Sequence, residues 1–485
     1  MPLVINLILS ILIPLGAGYG CLSLLFRGQT LSVSLRVALA YGLGLGLLAI
    51  WMLGLYIFYQ PFSLLILRTP LLVIIIAAFL LSFLRKKPVN MDHENIFIRT
   101  KKYTPEPGIE KVLHIALVTV LLLYLAQTAW FVVWRSMTVP ILSWDAVATV
   151  AFKAKIFYFE ESPPLLTLLP HRTYPLFTPF MESWVAFNLG QWNDLLIKII
   201  FPCAFLSFLT IYYKFLGHFT NRTWAILGSV ILLSSNFFIY HATISYRDFF
   251  LMYFNCITIM LLLFFNENRV SAFLILAGLF AGFASFTKLE GTAFLGVYLV
   301  LFALINFSSK LFSKKEKLIN TIKFCVPSIG MAVLFHAYKI WHNVLSEGSG
   351  TSAKTNFELT WEKISLIPQI LIKFSQNLFL SGNWNVIWLL AFLSLIHFTK
   401  KRKHTEAGLV FLSLILFFGL YIAMAVLTTN YIWIAGAKSF TTLSRLILHF
   451  FPLSGLLIIL LNYSGAPRER KNTSSLNPKK QALNK

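Results

Sequence analysis

Acidic residues are scarce in this sequence. Its 485 residues include 18 Asp and Glu against 41 Lys and Arg, and charged residues make up only 12% of the chain. Cysteine is also rare, and no two cysteines have a CxxC spacing; the four lie within apolar runs, at Cys21, Cys203, Cys256 and Cys325. The shortage of charge argues against a soluble domain. The number and spacing of the cysteines argue against a disulfide framework and a cysteine metal site, and favour buried thiols.

Apolar runs near 20 residues recur from end to end. The chain is 58% hydrophobic with a mean hydropathy of +0.75, and each run is long enough to cross a bilayer core of about 30 Å. The pattern therefore predicts an all-α polytopic membrane protein. About 13 transmembrane helices are expected, at 3–25, 34–58, 63–84, 112–134, 195–216, 223–240, 248–265, 270–286, 290–307, 323–342, 384–399, 407–428 and 441–462.

The net charge of +23 is concentrated in a few short segments. Short basic loops stay on the cytoplasmic side of a membrane, and with 13 spans the basic clusters all fall on one side: 85–111, 310–323, 400–403 and 468–485. This distribution indicates attraction to anionic membrane lipids rather than binding to nucleic acid. Because no Lys or Arg precedes residues 3–25, we interpret them as a first span and not as a signal peptide.

The longest segment that cannot be a membrane helix is the outer-face loop 136–194. Asp145 opens it with a carboxylate just outside a span. Residues 146–160 have apolar positions at helical spacing, which predicts an amphipathic juxtamembrane helix ended by Pro163-Pro164. Pro175 and Pro179 are expected to interrupt the next stretch, before a helix from Phe180. A second outer loop is expected at 344–383.

Several ionisable residues lie near the predicted outer ends of spans, where such residues tend to be functional. Each also has a purely structural interpretation. Asp248 could pair with its neighbour Arg247 at a helix end, and Lys288 and Glu290 could sit on a plain interfacial turn. Arg445 could extend to the membrane surface. Lys153 and Lys155 of the first loop could also extend to the membrane surface. His171 could be an ordinary loop histidine.

Four short motifs, in this order, resemble polytopic GT-C glycosyltransferases. The similarity is to bacterial family 39-like enzymes, relatives of dolichyl-phosphate-mannose–protein mannosyltransferase. Its pieces are Trp144-Asp145-Ala146 with Tyr174-Pro175-Leu176, then Tyr246-Arg247-Asp248, Lys288-Leu289-Glu290-Gly291, and Arg445 with a downstream Pro452. The resemblance covers 112–462 as the catalytic membrane core. It leaves 1–85 as a three-helix N-terminal addition, 86–111 as a basic cytoplasmic loop and 463–485 as a basic cytoplasmic tail.

The resemblance implies sugar transfer from a polyprenyl-phosphate-linked donor to an acceptor on the outer face, with inversion. Asp145 would be the general base and Asp248 a second catalytic carboxylate. The donor phosphate would be bound by cations, with Arg445 the first choice and Lys288, Lys153 and Lys155 the others. Substrate-binding roles are expected for Trp144, His171, Tyr174, Arg247 and Glu290. A divalent metal is possible, but the sequence lacks the paired acidic motif that would support one, because Ala146 follows Asp145.

Two other functions remain open at this point. A transporter or flippase of a lipid-linked or small substrate would also place charges within membrane helices, and it would contain helices broken near the midplane. An O-antigen ligase or polymerase-like enzyme would also use lipid-linked sugars, although its large outer loop usually comes late in the chain. By analogy, the expected location is a bacterial inner membrane with the site facing outward. The acceptor and the sugar stay undetermined.

Overall fold

The computed structural model describes residues 2–26, 31–84, 108–160, 164–344, 361–398, 405–427 and 440–464, and all regular elements within these ranges are helices. A helix satisfies its own backbone hydrogen bonds, which lipid cannot do. The predicted basic loop 86–111 lies mostly outside the described residues, as do 345–360 of the second outer loop, the basic cluster 400–403 and the tail from 465 onward.

The N-terminal half contains α1 (Pro2–Leu25), α2 (Val33–Ile57), α3 (Leu64–Phe83), α4 (Ile109–Thr138), α5 (Trp144–Ala146), a π-helical turn (Val147–Ala151), α6 (Phe152–Phe159), a 3₁₀ turn (Leu166–Leu168), α7 (Phe177–Leu189), a 3₁₀ turn (Leu196–Ile199), α8 (Ile200–Phe219), α9 (Arg222–Leu233) and α10 (Asn236–His241). The second half contains α11 (Arg247–Asn268), α12 (Ser271–Thr287), α13 (Leu289–Phe307), α14 (Lys314–Trp341), α15 (Trp361–Ser365), α16 (Ile367–Leu380), α17 (Ile387–Phe398), α18 (Thr405–Leu427), α19 (Phe440–Leu448) and α20 (Phe451–Asn462).

A multi-pass membrane protein is confirmed by the lengths of these helices. In the described ranges, nine are long and apolar enough to cross a membrane, and the bent pair of α19 and α20 makes up to ten. The predicted spans 223–240, 270–286 and 384–399 correspond to shorter apolar helices, of which the first is Arg222–Leu233. The count of 13 crossings therefore stays a prediction.

Helix α11 lies at the centre of the molecule. The apolar window of α11 is 100% buried, whereas the window of α4 is 11% buried and that of α3 is 17% buried. The last two therefore lie at the periphery, where lipid would cover their apolar side chains. Because α11 is surrounded by protein, the residues at its first turn can meet side chains from many other segments.

The first helices pack tightly on each other and on the rest of the chain. A Cβ at Gly18 would overlap the backbone of α2, and one at Gly44 would overlap the backbone of α1, so small residues let the two helices approach closely. The indole of Trp184 donates to the carbonyl of Ser10 at 2.8 Å, and the Tyr41 hydroxyl reaches that of Ile200 at 3.3 Å. The N-terminal helices thus pack directly against residues of the predicted core, 112–462.

Helix α7 begins earlier than the sequence suggests. The prolines were expected to delay this helix until Phe180, but it starts at Phe177 with Pro179 in its first turn. The first turn tolerates proline because its N–H groups have no intrahelical acceptor. A helix predicted at 146–160 is observed at 144–159, from α5 through the π-helical turn to α6; its place at the membrane surface stays a prediction.

The predicted charged motifs lie at one end of the helices, and a predicted basic segment lies at the other. Lys288 follows the last residue of α12, while the first residue of that helix, Ser271, accepts a hydrogen bond from Lys323 at 3.0 Å. The basic segment 310–323 is therefore at the end of α12 opposite Lys288. This agrees with the predicted opposition of basic loops and site; which end faces the cytoplasm stays a prediction.

Candidate functional site

Five of the predicted site residues converge at the first turn of α11. Asp248 lies in that turn, and Asp145 comes from α5. Lys288 occupies the break between α12 and α13, Glu290 lies in the first turn of α13, and Arg445 lies in α19. These segments are distant in sequence, so their meeting is a result of the tertiary fold. We call these five residues the ion cluster.

Asp248 is the buried centre of the ion cluster. Its side chain is 1% exposed. One carboxylate oxygen, Oδ2, accepts from Arg445 at 3.2 Å and 2.9 Å. The other, Oδ1, accepts from Lys288 at 3.0 Å and from Nε2 of His449 at 3.0 Å. A buried carboxylate needs such partners to remain charged, and the first turn of α11 adds the positive end of the helix dipole.

Asp145 lies on the open side of the same arginine. Arg445 Nη1 donates to Asp145 Oδ2 at 2.5 Å, and the side chain of Asp145 is 35% exposed, against 25% for Arg445. The guanidinium of Arg445 also lies over the ring of Tyr246, 4.7 Å from its centroid. Arg445 therefore bridges one sealed carboxylate and one accessible carboxylate. An arginine that only extended to the membrane surface would not form this bridge.

The Lys288–Glu290 segment is the predicted turn, but its two side chains contact each other. Lys288 has extended backbone angles (φ −154°, ψ 154°), and its Nζ lies 2.7 Å from Glu290 Oε1. Burial lowers the pKa of Lys288, but the neighbouring carboxylates Asp248 and Glu290 outweigh it and raise the pKa above its ordinary value. Gly291 makes the sharp break possible, since a Cβ there would overlap the Ala284 carbonyl oxygen.

His449 and Tyr421 belong to the site and were not assigned a role from the sequence. The carboxylate of Asp248 can only accept, so His449 Nε2 donates to it. Nδ1 lies 2.5 Å from the Tyr421 hydroxyl, from which it accepts when the ring is neutral. In the sequence, His449 follows Arg445 by four residues, a spacing that in a continuous helix would place two polar side chains on one face. That spacing could have indicated His449 as a site residue.

The helix predicted as the last span is broken beside the ion cluster. Helices α19 and α20 meet at an angle of 54°, and His449 lies between them. The break leaves the carbonyl of His449 without a helical partner, and Asn255 Nδ2 donates to it at 2.6 Å. The side chain of Asn255 in turn accepts from Tyr298 at 2.8 Å. The break is therefore stabilised by polar side chains inside the bundle.

Arg247, Tyr174, Lys153 and His171 form a group next to the ion cluster. The guanidinium of Arg247 lies 4.2 Å from the Tyr174 ring centroid, and Nη2 donates to Thr149 at 2.8 Å. Lys153 lies 6.0 Å from the same centroid and donates to the carbonyl of His171 at 2.8 Å. Arg247 therefore has its own partners. Because Asp248 contacts Arg445, Lys288 and His449, the alternative that it simply pairs with Arg247 at a helix end is wrong.

The two predicted lysines of α6 have different surroundings. Lys153 is fully buried, so the alternative that it extends to the membrane surface is wrong for this residue. Lys155 instead lies over Trp192, 5.3 Å from its ring centroid, which is outside the ion cluster. Trp144 precedes Asp145 but is 78% exposed. Neither Lys155 nor Trp144 is brought into the ion cluster by a contact of this structure.

Two further buried groups have strongly shifted pKa values. Burial raises the pKa of Glu182 to about 8, against the hydrogen bond from Ser245. Burial lowers the pKa of His241 to about 4, although Asp248 acts in the opposite direction. Glu182 therefore holds a proton near neutral pH, and His241 is uncharged.

The described residues contain no group of three His, Cys, Asp or Glu side chains that could hold a metal ion. The carboxylates of the ion cluster are instead joined to Arg445 and Lys288. Such a site can stabilise negative charge and can accept a proton at Asp145. Comparison of the chain with protein-family models, with curated proteins and with solved structures gives no match.

Proposed function

We propose that this protein is a membrane glycosyltransferase. It would transfer a sugar from a polyprenyl-phosphate-linked donor to an acceptor on the outer membrane face, with inversion at the anomeric carbon. One observation carries the proposal. Residues of the four motifs that resemble GT-C enzymes, widely separated in sequence, lie within one ion cluster at the end of the central helix.

The accessibility of Asp145 supports its role as the general base. A base must reach the proton that it removes, and Asp145 is 35% exposed whereas Asp248 is 1% exposed and has three partners. In the proposed step, Asp145 takes the proton of the acceptor hydroxyl or amine. The acceptor atom then bonds to the anomeric carbon, and the bond from that carbon to the phosphate oxygen breaks. Polyprenyl phosphate leaves with the bonding electron pair.

Asp248 supports this step indirectly. Its carboxylate fixes the guanidinium of Arg445 through two hydrogen bonds and also holds Lys288. Cations that are held in place before the reaction can stabilise the charge that develops on the leaving phosphate. Arg445 would also orient the carboxylate of Asp145 towards the acceptor. Asp248 is therefore a positioning residue in this proposal.

The second candidate function is transport of a lipid-linked or small substrate. It is favoured by the 54° break between α19 and α20, which lies next to the ion cluster. Broken helices beside embedded charges are characteristic of substrate sites in secondary transporters. The two functions differ in whether the donor is cleaved.

The decisive experiment measures release of polyprenyl phosphate by the purified protein in lipid nanodiscs. The substrates are a mixed pool of polyprenyl-phosphate sugars and candidate acceptors. The wild type is compared with Asp145→Asn and with the matched control Asp194→Asn. Asp194 accepts from the Trp192 indole at 2.7 Å in a separate part of the loop. We expect cleavage by the wild type and by the control, with a loss of about 10²–10⁴-fold in the Asp145 variant.

Other results would contradict parts of the proposal. Cleavage that survives Asp145→Asn would keep the enzyme class and remove Asp145 as the base. Movement of an intact donor between leaflets of proteoliposomes, without cleavage by the wild type, would favour transport. Retention of the anomeric configuration in the product would contradict a single displacement.

A further inference from the structure

The ion cluster does not have spare positive charge for an anionic substrate. It joins three carboxylates, Asp145, Asp248 and Glu290, to two cations, Arg445 and Lys288. The ring of His449 adds no charge when Nδ1 accepts from the Tyr421 hydroxyl and Nε2 donates to Asp248. The cluster therefore carries a net negative charge. Binding of a phosphate beside Arg445 and Lys288 therefore calls for a further cation.

Arg247 supplies such a cation immediately beside the cluster. Its residue is 6% exposed, and it interacts electrostatically with Asp248, Glu290 and Arg445. Within the described residues, its Nη1 atom is buried without a hydrogen-bond partner. A buried guanidinium nitrogen without a partner is costly, and a ligand oxygen that displaces the covering Tyr174 ring would supply an acceptor.

The remaining contacts of Arg247 hold the guanidinium in place. The Tyr174 ring covers one face at 4.2 Å, and Thr149 accepts from Nη2 at 2.8 Å. Thr149 itself donates to the carbonyl of Asp145 at 2.5 Å, which links Arg247 to the proposed base. Tyr174 is only partly buried. The guanidinium thus lies directly beneath a side chain that solvent reaches.

We propose that Arg247, rather than Arg445, is the primary ligand of a substrate phosphate. Arg445 is already engaged by two carboxylates, whereas Nη1 of Arg247 can donate to a phosphate oxygen once the Tyr174 ring moves aside. A guanidinium suits this role because its planar fork matches phosphate geometry. The inference rests on the proposed function for the identity of the phosphate, which is that of a lipid-linked donor. Arg445 would then hold the two carboxylates and stabilise the charge that develops on the phosphate as it leaves.

The test measures equilibrium binding, which does not depend on turnover. Purified full-length protein is titrated with farnesyl phosphate, with farnesol and with inorganic phosphate. In Arg247→Gln we expect the affinity for farnesyl phosphate to fall about 10- to 100-fold, the loss typical of a hydrogen bond to a charged group. The affinity for farnesol should not change. The matched control is Arg68→Gln, since Arg68 donates to Asn188 at 2.6 Å and lies outside the ion cluster.

A purely structural role would lower the affinities for farnesyl phosphate and farnesol equally, and this result in a folded Arg247→Gln protein would overturn the proposal. If that variant does not fold, Arg247→Lys decides. The lysine keeps the charge and loses the fork, so a selective loss of farnesyl phosphate affinity supports the proposal and an unchanged affinity overturns it. Competition by inorganic phosphate in the wild type would identify a general phosphate site; its absence would identify a lipid-phosphate site.

Donor cleavage and farnesyl phosphate binding report on the transferase and on Arg247 separately. A wild-type protein that cleaves donors while Arg247→Gln binds farnesyl phosphate normally would refute the role of Arg247 alone. A wild-type protein that binds farnesyl phosphate through Arg247 but cleaves no donor would refute the transferase and keep the phosphate site.

Discussion

Replacing Asp248 with Asn should destabilise the protein much more than the same replacement at Asp145. Asp248 is 1% exposed and accepts hydrogen bonds from Arg445, Lys288 and His449. Removing its charge leaves Arg445 and Lys288 without one of the carboxylates that balance their charge in a buried site. Breaking a buried ion pair by removing one partner typically costs about 3–5 kcal/mol.

Asp145 should show the opposite balance between stability and activity. It is 35% exposed and has one ion-pair partner in the ion cluster, Arg445. Pairs with this degree of exposure are worth about 0–1 kcal/mol. The variant Asp145→Asn should therefore fold almost as stably as the wild type, while its sugar transfer falls about 10²–10⁴-fold if Asp145 is the base.

Thermal unfolding in one detergent, together with turnover of a polyprenyl-phosphate sugar, would test this contrast. The difference of about 2–5 kcal/mol between the variants corresponds to a separation in Tm on the order of 5 °C. If both variants unfold near the wild-type Tm, the assignment of Asp248 as the buried centre is refuted. An Asp145→Asn protein that is as unstable as Asp248→Asn would show that Asp145 is primarily structural.

Three further predictions concern residues around the site. Arg445→Lys keeps the charge but cannot bridge Asp145 and Asp248 with one planar fork, so we expect a loss of about 10- to 100-fold in transfer; wild-type activity would contradict a bridging role. Gly291→Ala should lower Tm, because the new methyl group would overlap the Ala284 carbonyl, and an unchanged Tm would mean that the turn can relax. For Glu182, burial raises the pKa to about 8 from an ordinary value of 4.5. The unfolded chain therefore loses its proton first, and stability should fall as the pH rises from 4.5 through 8; Glu182→Gln should flatten this decline in Tm measured across that range.

The membrane helices could be predicted from the sequence because lipid imposes a simple rule on the backbone. An apolar run of sufficient length forms a helix, and the basic loops give the relative sides. The rule becomes weak for shorter helices. Helix α9 ends at Leu233, and a turn then leads into α10, so the single span predicted over 223–240 is two pieces.

The members of the ion cluster could be predicted, but their partners could not. Ionisable residues are conspicuous in apolar surroundings, which identified Asp145, Asp248 and Arg445. Arg445 pairs with residues 300 and 197 positions away, and no local pattern encodes such contacts. His449 and Tyr421 were inconspicuous because both can be ordinary membrane residues when considered singly.

The choice between Lys153 and Lys155 was also beyond the sequence. Residues two apart on a helix point to different sides. Which side faces the protein depends on how the helix is rotated against its neighbours, and that is a property of the tertiary fold. In the structure Lys153 faces inward to the carbonyl of His171, and Lys155 faces Trp192.

The wide sequence separation within the ion cluster has a consequence for biosynthesis. Asp248 is translated before its partners: Lys288 is 40 residues later and Arg445 is 197 residues later. At about 5–20 residues per second, the lysine follows within roughly 2–8 s and the arginine only after roughly 10–40 s. For most of this time the nascent chain therefore contains Lys288 but not Arg445 to pair with the Asp248 carboxylate. Loss of Lys288 should expose the half-made protein to quality-control proteolysis before the last span is synthesised.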